Sequence, residues 1–391
     1  MRILLVGGTW VTDNLLSDMK PAESSIVKKL EAAIRTCKAL NESTKVGPEW
    51  TLDVYNGGRF ENLTEIIQLA KHAAITIWMP HVPDNDLPKI RDVKAIAPHT
   101  ILVTSKRNID NKYSFGEIVR RALGTKSNLL IEFKNNPSNG HYSMNLIDPL
   151  GNSWFEGEDI NAFTEALFDR AVDLTCITRQ GTQHINGIIP IDITETEIDR
   201  FMDIVKNCAK VFNEYTPSAN NTTRFLGNCS LAPTRCAKGF PSIRTANRIL
   251  VSQRNVDKTH LTKENLVPVM FDESKTFTNQ QILYCGNHKP SVDTPIQVRL
   301  YDALPNINYM IHSHCYIRNA PFTAKCIPCG GIEEVKEILT LIDKTLFGRE
   351  TLYMAINLKG HGSIIMASDL ALLDNITEQY YPREFPEKQY I

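Results

Sequence analysis

The first 180 residues alternate between short apolar runs and segments whose apolar residues recur at helical spacing. The candidate strands are residues 3–6, 52–55, 75–79, 101–104 and 129–133, and the candidate helices are 26–37, 63–72 and 115–123. Strands that alternate with helices form a parallel sheet with helices packed on both faces. We therefore predict an α/β fold here, a Rossmann-like domain over residues 1–180, which ends in a hairpin over 141–154 and a helix over 159–174.

A chain of 391 residues is long for one hydrophobic core and usual for two domains. Between residues 178 and 196 the pattern lapses into a segment rich in glycine and polar residues. Few contacts cross such segments, which makes them typical domain boundaries. We predict a second domain over residues 195–391 that mixes short strands with helices, including a last helix over 369–381.

The composition excludes several classes of protein. Hydrophobic residues make up 42% of the chain, charged residues 22%, and the net charge is −1, so neither nucleic acid nor a membrane is an expected partner. The opening MRILLVGGTW is expected to be a buried strand and not a signal peptide. Nine cysteines without disulfide spacing predict free thiols in a cytoplasmic protein. We interpret the close pair Cys326 and Cys329 as structural thiols.

His312 and His314 follow an apolar run that ends at Ile311. Side chains at positions i and i+2 of a strand point to the same face, so both imidazoles can reach one ion. Three neutral nitrogen ligands suit zinc, with one position open for a substrate. His361, flanked by glycines at another strand end, is the best placed third ligand. The alternative is that two histidines at a strand edge are simply solvated.

Further motifs stand in a fixed order around these histidines. They are Gly227-Asn228-Cys229-Ser230, Val256-Asp257-Lys258, Leu261-Thr262-Lys263-Glu264-Asn265-Leu266-Val267, Pro290-Ser291-Val292-Asp293-Thr294-Pro295 and Lys359-Gly360-His361-Gly362. In this order, over about residues 195–391, they resemble the class II aldolase/adducin family, and most nearly its L-ribulose-5-phosphate 4-epimerase branch. The resemblance implies an α/β/α sandwich, zinc as the cofactor and a homotetramer with sites at subunit interfaces.

The resemblance also implies a role for Asp293. A retro-aldol step breaks a carbon–carbon bond and leaves an enediolate, an anion that zinc can stabilise as a Lewis acid. A carboxylate beside the metal can move the proton, and Asp293 matches the acidic position of the family. Asp293 also precedes Thr294-Pro295 and can cap a helix that begins there, and both roles can hold together.

Asn228 and Ser291 match family positions that hydrogen-bond a substrate phosphate, although each could equally be a turn residue. Arg254-Asn255 stands where relatives usually have Ser- or Thr-Gly, and Val292 replaces a usual serine. Arg254 can supply a bidentate phosphate contact. We therefore expect a remodelled pocket, suited to a different phosphate or to a substrate without phosphate.

A second departure from the family concerns proton transfer. The epimerases have a TTHAD-like stretch after the histidine strand, and its aspartate is an acid/base. Here Cys329-Gly330-Gly331-Ile332-Glu333-Glu334 has no aspartate, which puts 4-epimerisation in doubt. Glu333 or Glu334 can substitute, or both can lie in the first turn of a helix. Tyr381 matches a family tyrosine that reaches a neighbouring subunit's site, or it packs within its own subunit.

In the first domain, three loops are expected to converge at the carboxyl edge of the parallel sheet, where ligands bind in such folds. These loops carry Gly7, Gly8, Arg59 and Lys106. Free backbone N–H groups and two cations predict an anionic ligand such as a nucleotide or a sugar phosphate. The alternative is that the glycines form only a tight turn between a strand and a helix.

Together these features predict a lyase or isomerase that depends on zinc, or on another divalent transition metal. Its expected substrate is sugar-like and phosphorylated, and its reaction is of the aldolase, epimerase or dehydratase type, through a metal-stabilised enediolate. Two alternatives remain open. One is a non-catalytic, adducin-like scaffold, and the other is a bifunctional enzyme whose first domain handles a nucleotide.

Overall fold

The computed structural model describes residues 1–12, 20–43, 45, 49–82, 92–135, 142–178, 182–191, 193–215, 225–232, 248–271, 282–342 and 352–389. The chain divides into two compact units, Met1–Arg179 with Phe385–Ile391, and Gln180–Glu384. These bounds differ from the predicted second domain, 195–391, at both ends, because each end adds a short strand to a sheet. No helix among the described residues is both long and apolar enough to cross a membrane.

The first unit is built around one sheet. Its elements are β1 (Arg2–Val11), α1 (Ser25–Thr36), α2 (Lys38–Asn41), β2 (Thr51–Arg59), α3 (Phe60–Leu69), β3 (Ile75–Trp78), α4 (Asp92–Ile96), β4 (Ile101–Asn108), α5 (Phe115–Thr125), β5 (Leu129–Asn135), β6 (Tyr142–Ile147), β7 (Asn152–Gly157) and α6 (Ile160–Thr178). Short 3-10 helices lie at Ala70–His72 and Ile109–Asn111.

Five strands of this sheet are parallel, in the order β2, β1, β3, β4, β5, and the hairpin β6–β7 continues it antiparallel. Alternate residues of β1 show how both faces are covered. Ile3 and Leu5 pack in a core with α1 and α6, and Leu4 and Val6 pack in a second core with α3 and α4. The predicted Rossmann-like parallel sheet is confirmed.

The second unit is built around a mainly antiparallel sheet. Its elements are β8 (Thr182–His184), α7 (Glu195–Glu214), β9 (Asn228–Leu231), β10 (Arg248–Ser252), β11 (Leu266–Phe271), β12 (Ile282–Tyr284), α8 (Thr294–Ala303), β13 (Tyr309–Ser313), β14 (Tyr316–Ile317), α9 (Glu333–Leu341), β15 (Tyr353–Leu358), β16 (Gly362–Ala367) and β17 (Tyr380–Tyr381). Short 3-10 helices lie at Lys258–His260, Lys263–Asn265, Leu370–Leu373 and Ile376–Gln379.

The strand order of this sheet is β15, β16, β13, β9, β10, β11, β12, β8. Helices α8 and α9 pack on one face and α7 on the other, which is the expected α/β/α sandwich. Met310 of β13 faces the α8 and α9 side, whereas Tyr309 and Ile311 face α7. By the alternation of a strand, His312 shares the face of Met310.

The predicted helix over residues 369–381 is wrong. This stretch forms the two 3-10 helices Leu370–Leu373 and Ile376–Gln379 and then β17. Asn375 between them has a left-handed φ of 60°, a conformation that ends a right-handed helix.

The last residues of the chain return to the first unit. A strand β18 (Glu387–Lys388) pairs with β7 in parallel. The Glu387 amide donates to the carbonyl oxygen of Gly151 at 3.1 Å, and the Gln389 amide donates to that of Ser153 at 2.9 Å. The chain therefore closes the edge of its first sheet with its own C-terminal residues.

We expect deletion of residues 385–391 to lower the free energy of unfolding of the first unit by about 1–3 kcal/mol, because these hydrogen bonds are lost. Differential scanning calorimetry of the full chain and of the truncated chain measures this change. Lys388→Ala is the matched control, since it keeps the backbone of β18, removes an exposed ion pair with Glu156 and should change little. An unaltered first-unit transition in the truncated chain would contradict the expectation.

Candidate metal centre

Three histidines meet where two neighbouring strands of the second unit end. His312 lies in β13, His314 follows it directly, and His361 lies between β15 and β16. Strands β13 and β16 are antiparallel neighbours, so the end of one is opposite the start of the other. Gly362 has a φ of 145°, and a side-chain carbon there would overlap the carbonyl oxygen of Ser313. Only glycine lets the strands approach this closely.

The three imidazoles are buried and mutually close. Their exposed fractions are 2% for His312, 5% for His314 and 0% for His361. The ring centroids are 4.6–5.2 Å apart in all three pairs. One donor nitrogen of each ring lies within 4.8 Å of the donor nitrogens of the other two. The structure thus brings together the three residues that the sequence pattern grouped.

Protein groups orient two of the rings. His312 Nδ1 is 2.9 Å from the carbonyl oxygen of Ser363, an acceptor, so Nδ1 is the donor and Nε2 keeps the lone pair. His361 Nδ1 is 2.9 Å from Glu334 Oε1, which likewise leaves Nε2 as the ligand nitrogen. A carboxylate behind a metal-ligating histidine is a frequent arrangement that fixes its tautomer and ring orientation.

Several donor atoms at this cluster are buried without a hydrogen-bond partner among the described residues. They are His312 Nε2, His314 Nδ1 and Asp293 Oδ1. Each unpaired buried polar atom costs about 1–3 kcal/mol. A cation coordinated by the two imidazole nitrogens would remove their penalty, so the residues fit a divalent metal of the kind that imidazole ligands hold.

The electrostatics of the cluster favour lone pairs over protons on two of its members. Burial lowers the pKa of His312 to about 4 and the pKa of His314 well below its usual value, so both are neutral at pH 7. Burial also opposes the charged form of His361, but Cys329 and Glu334 outweigh burial and raise its pKa. A metal at His361 must therefore displace a proton from the His361–Cys329 pair.

Asp293 is turned towards the histidines. It is the residue before α8, but its side chain makes no capping hydrogen bond. Its Oδ2 accepts from Asn228 Nδ2 at 2.9 Å and lies 3.8 Å from His312 Nε2. Asn228 Oδ1 in turn accepts from Gln297 Nε2. A chain of two amides thus holds the carboxylate in place, and the catalytic role of Asp293 remains a prediction.

The three residues predicted to bind a phosphate differ in their burial and in their contacts. Asn228 is 1% exposed and bonded to Asp293 and Gln297, so its amide orients the carboxylate. Ser291 is 8% exposed, with Oγ 3.5 Å from the Asp293 amide. Arg254 is exposed on an adjoining segment. Their binding to a phosphate remains a prediction.

Lys289 is a cation that the sequence reasoning missed. Its carbonyl oxygen accepts from the Arg254 amide at 2.8 Å, which places the two residues side by side. Partial burial, and next the charge of Arg254, lower the pKa of Lys289, which remains accessible to solvent. Beside Arg254 and Lys289, an isolated antiparallel β-bridge joins Gln253 to Pro290. Lys289, Arg254 and Ser291 therefore belong to two paired segments, a relation that residue spacing alone does not reveal.

The structure also places three groups near the cluster that sequence spacing does not connect with it, namely Glu334, Lys258 and Cys329. Both Glu333 and Glu334 lie in the first turn of α9, but Glu333 is exposed and Glu334, 2% exposed, is turned to His361. Lys258 is 3% exposed, donates to the carbonyl oxygen of Val256 at 3.0 Å, and has its pKa lowered to about 8 by burial.

Tyr381 lies in β17, which pairs with β14 of the same unit. Its ring is half-buried, with its centroid 5.9 Å from that of Tyr316. Arg383, two residues further along, is 3% exposed and donates to the carbonyl oxygen of His361 at 3.4 Å. The packing interpretation of Tyr381 accounts for these contacts, and its catalytic role remains a prediction.

In the first unit, the predicted ligand residues do not all meet. A cavity of about 330 Å³ at the carboxyl edge of the sheet is lined by Gly8, Arg107 and the start of α1, among others. Gly7, Arg59 and Lys106 are not among its lining residues in the described part of the chain. Lys106 Nζ lies 4.0 Å from the Tyr113 ring instead, because neighbouring residues of a strand point to opposite faces.

Steric contacts explain the two glycines of the first strand. A side-chain carbon at Gly7 would collide with Val27 of α1. Gly8 has a φ of 76°, and a side-chain carbon there would collide with the backbone of Gly57. Close packing therefore requires glycine at both positions, whether or not a ligand binds.

Residues 209–371 match the model of a protein family described as Class II Aldolase and Adducin N-terminal domain. This region is a class II aldolase/adducin domain. The resemblance stated from the motifs is confirmed for the second half of the chain. No curated protein matched the chain as a whole or in part.

Solved structures similar to parts of the chain include YgbL from Klebsiella pneumoniae, named as a putative aldolase/epimerase/decarboxylase. It is 16% identical, with a TM-score of 0.30, and the match covers 48% of this chain and 86% of YgbL. An L-fuculose 1-phosphate aldolase is 15% identical, with a TM-score of 0.31, 48% of this chain and 82% of the aldolase being covered. A DNA/pantothenate metabolism flavoprotein from Streptococcus pneumoniae is 12% identical, with a TM-score of 0.33, and the match covers 44% and 97% of the two chains.

We expect Glu334→Gln to weaken metal binding by the aldolase/adducin domain about 10- to 100-fold, the usual effect of removing a carboxylate behind a histidine ligand. Competition for zinc against a chelating dye measures the affinity. Glu333→Gln is the matched control, since it changes the neighbouring, exposed carboxylate of the same helical turn. Equal affinities of the two variants would show that Glu334 does not support the site.

Proposed function

We propose that the aldolase/adducin domain is a zinc-dependent lyase or isomerase that acts on a sugar-like, phosphorylated substrate. The observation that carries this proposal is the buried cluster of His312, His314 and His361 beside Asp293, with donor atoms that lack partners among the described residues. A scaffold without a metal would gain nothing from burying these atoms unpaired. The geometry therefore favours catalysis over the scaffold alternative.

The three histidines would hold the cation, zinc or another divalent transition metal. When bound, it supplies a Lewis acid that polarises a carbonyl oxygen. His312 and His314 bind as neutral imidazoles because burial keeps their pKa low. Glu334 keeps the ligand nitrogen of His361 directed at the cluster.

Asp293 would be the base that accepts a proton from the substrate. Asn228 holds Oδ2, whereas Oδ1 is buried and has no hydrogen-bond partner in the described part of the chain. A substrate hydroxyl or an acidic carbon–hydrogen bond near Oδ1 can therefore transfer its proton to a base whose position is already set. Lys258 is buried nearby, and the charge of Asp293 partly offsets the lowering of the Lys258 pKa by burial.

The purified chain should contain about one divalent transition metal, and a screen of sugar phosphates should reveal C–C cleavage, epimerisation or dehydration. In the same assay we expect Asp293→Asn to lower kcat by ~10²-fold or more, the usual scale for a general base, with folding nearly unchanged. Elemental analysis, activity and circular dichroism measure these three properties.

Gln297→Met is a useful companion variant because it leaves Asp293 in place, adds no charge and removes the hydrogen bond to Asn228 Oδ1. Its activity should fall less than that of Asp293→Asn. A metal content near zero after preparation without chelators, combined with no uptake of added zinc, would refute the proposed function. Normal turnover by Asp293→Asn would remove Asp293 from the mechanism and leave the metal site standing.

Support for a phosphorylated substrate comes from two cations on the segments that adjoin Ser291. Arg254 and Lys289 lie side by side and are both exposed, and Ser291 is on the same segment as Lys289. Two adjacent cations repel each other, so an anion between them would be stabilised. Arg254 can also bind a phosphate in bidentate fashion.

We expect Arg254→Ala to raise KM for the phosphorylated substrate about tenfold or more, since a charge-assisted hydrogen bond of ~1.5–3 kcal/mol is lost. Turnover of the dephosphorylated form of the same sugar should not change. Lys263→Ala serves as the control, because Lys263 is an exposed cation of the same unit already paired with Asp199. If Arg254→Ala impaired activity equally on the phosphorylated and the dephosphorylated substrate, Arg254 would not act through the phosphate.

A further inference from the structure

Cys329 reaches into the histidine cluster. Its Sγ is 3.0 Å from His361 Nε2, the nitrogen that the Glu334 hydrogen bond leaves free for a metal. Donor atoms of Asp293, Cys329 and His361 also lie within 4.8 Å of one another. The three histidines and this second group share His361, so both surround the same space.

The position of Sγ suits coordination to a metal. In a tetrahedral zinc site, bonds of about 2.0 Å to nitrogen and 2.3 Å to sulfur place the two ligand atoms about 3.5 Å apart. The observed 3.0 Å is the length of a hydrogen bond between the thiol and the imidazole. A movement of about half an ångström would convert this hydrogen bond into two bonds to one ion.

We propose that Cys329 is the fourth protein ligand of the metal in the second unit, binding as a thiolate, while Asp293 stays outside the ligand set as the proton carrier. This inference rests on the proposed metal site. On binding, the S–H bond breaks, the sulfur keeps the electron pair for the metal, and the proton leaves to solvent. No oxidant or reductant is involved.

Two consequences follow from a sulfur ligand. Thiolate is a soft ligand, so the site should select zinc or cobalt(II) over magnesium and manganese. With Cys329, the protein would fill the four positions of a zinc site, so catalysis would require a fifth position or release of the thiolate. The segment between Cys329 and α9 begins with Gly330-Gly331. Gly330 has a φ of 81°, a backbone conformation that favours glycine.

Cobalt(II) distinguishes these possibilities without an activity assay. In the full-length protein stripped of metal, we expect added cobalt to produce the visible bands of a tetrahedral site and a near-ultraviolet sulfur-to-cobalt charge-transfer band. Cys329→Ser should lose the near-ultraviolet band, keep the visible bands and bind cobalt on the order of tenfold more weakly. Cys326→Ser, the other cysteine of the CxxC spacing, should retain both sets of bands.

The cobalt experiment separates a failure of the Cys329 proposal from a failure of the whole metal site. Visible bands without a charge-transfer band in the unaltered protein would overturn the role of Cys329 and leave the histidine site intact. A charge-transfer band that survives in Cys329→Ser would assign the sulfur to another cysteine and also overturn the inference. No cobalt uptake at all would refute the proposed function itself. Should Cys329→Ser not fold, X-ray absorption of the zinc-loaded unaltered protein decides, since it must show one sulfur at about 2.3 Å.

Discussion

Imidazole nitrogens that are buried without a hydrogen-bond partner among the described residues are the constraint around which the second unit is arranged. His312 is held by a backbone carbonyl oxygen and His361 by a carboxylate, and each contact directs the other ring nitrogen to a common space. The approach of β13 and β16, which glycine at position 362 permits, brings the rings together. Each unpaired donor atom is destabilising alone, so a single ion that satisfies several of them accounts for the whole arrangement.

Much of the fold could be predicted from the sequence because its signals are periodic. Buried strands that alternate with helices predicted the parallel sheet, and the i, i+2 spacing predicted that His312 and His314 share a face. Prediction failed where conformation depends on one residue or on strand register. Asn375 ends a helix that periodicity alone would continue, and Arg107 rather than Lys106 lines the first unit's cavity.

The candidate site was predictable only in part, because its supporting contacts join segments far apart in the chain. Glu334 was considered as a proton carrier or a helix-turn residue, but the fold of α9 turns it onto His361. Cys329 was interpreted as structural because its spacing to Cys326 was the only local signal. Its contact with His361 spans a helix and a strand, and no spacing rule connects residues across that distance. Asn228 likewise has its partner, Asp293, 65 residues away.

The charges around the cluster show why a thiolate would be useful there. A divalent cation brings two positive charges into a buried space, and uncompensated buried charge is strongly destabilising. Lys258 and Arg383 are buried cations whose fields extend to His314, and Asp293 interacts with Lys258. Glu334 is hydrogen-bonded to His361. Neutral imidazoles add no negative charge, so three of them would not offset the charge of the ion. A thiol that loses its proton on binding halves the charge that enters. Cys329 would thus supply the site with an anion by losing its thiol proton.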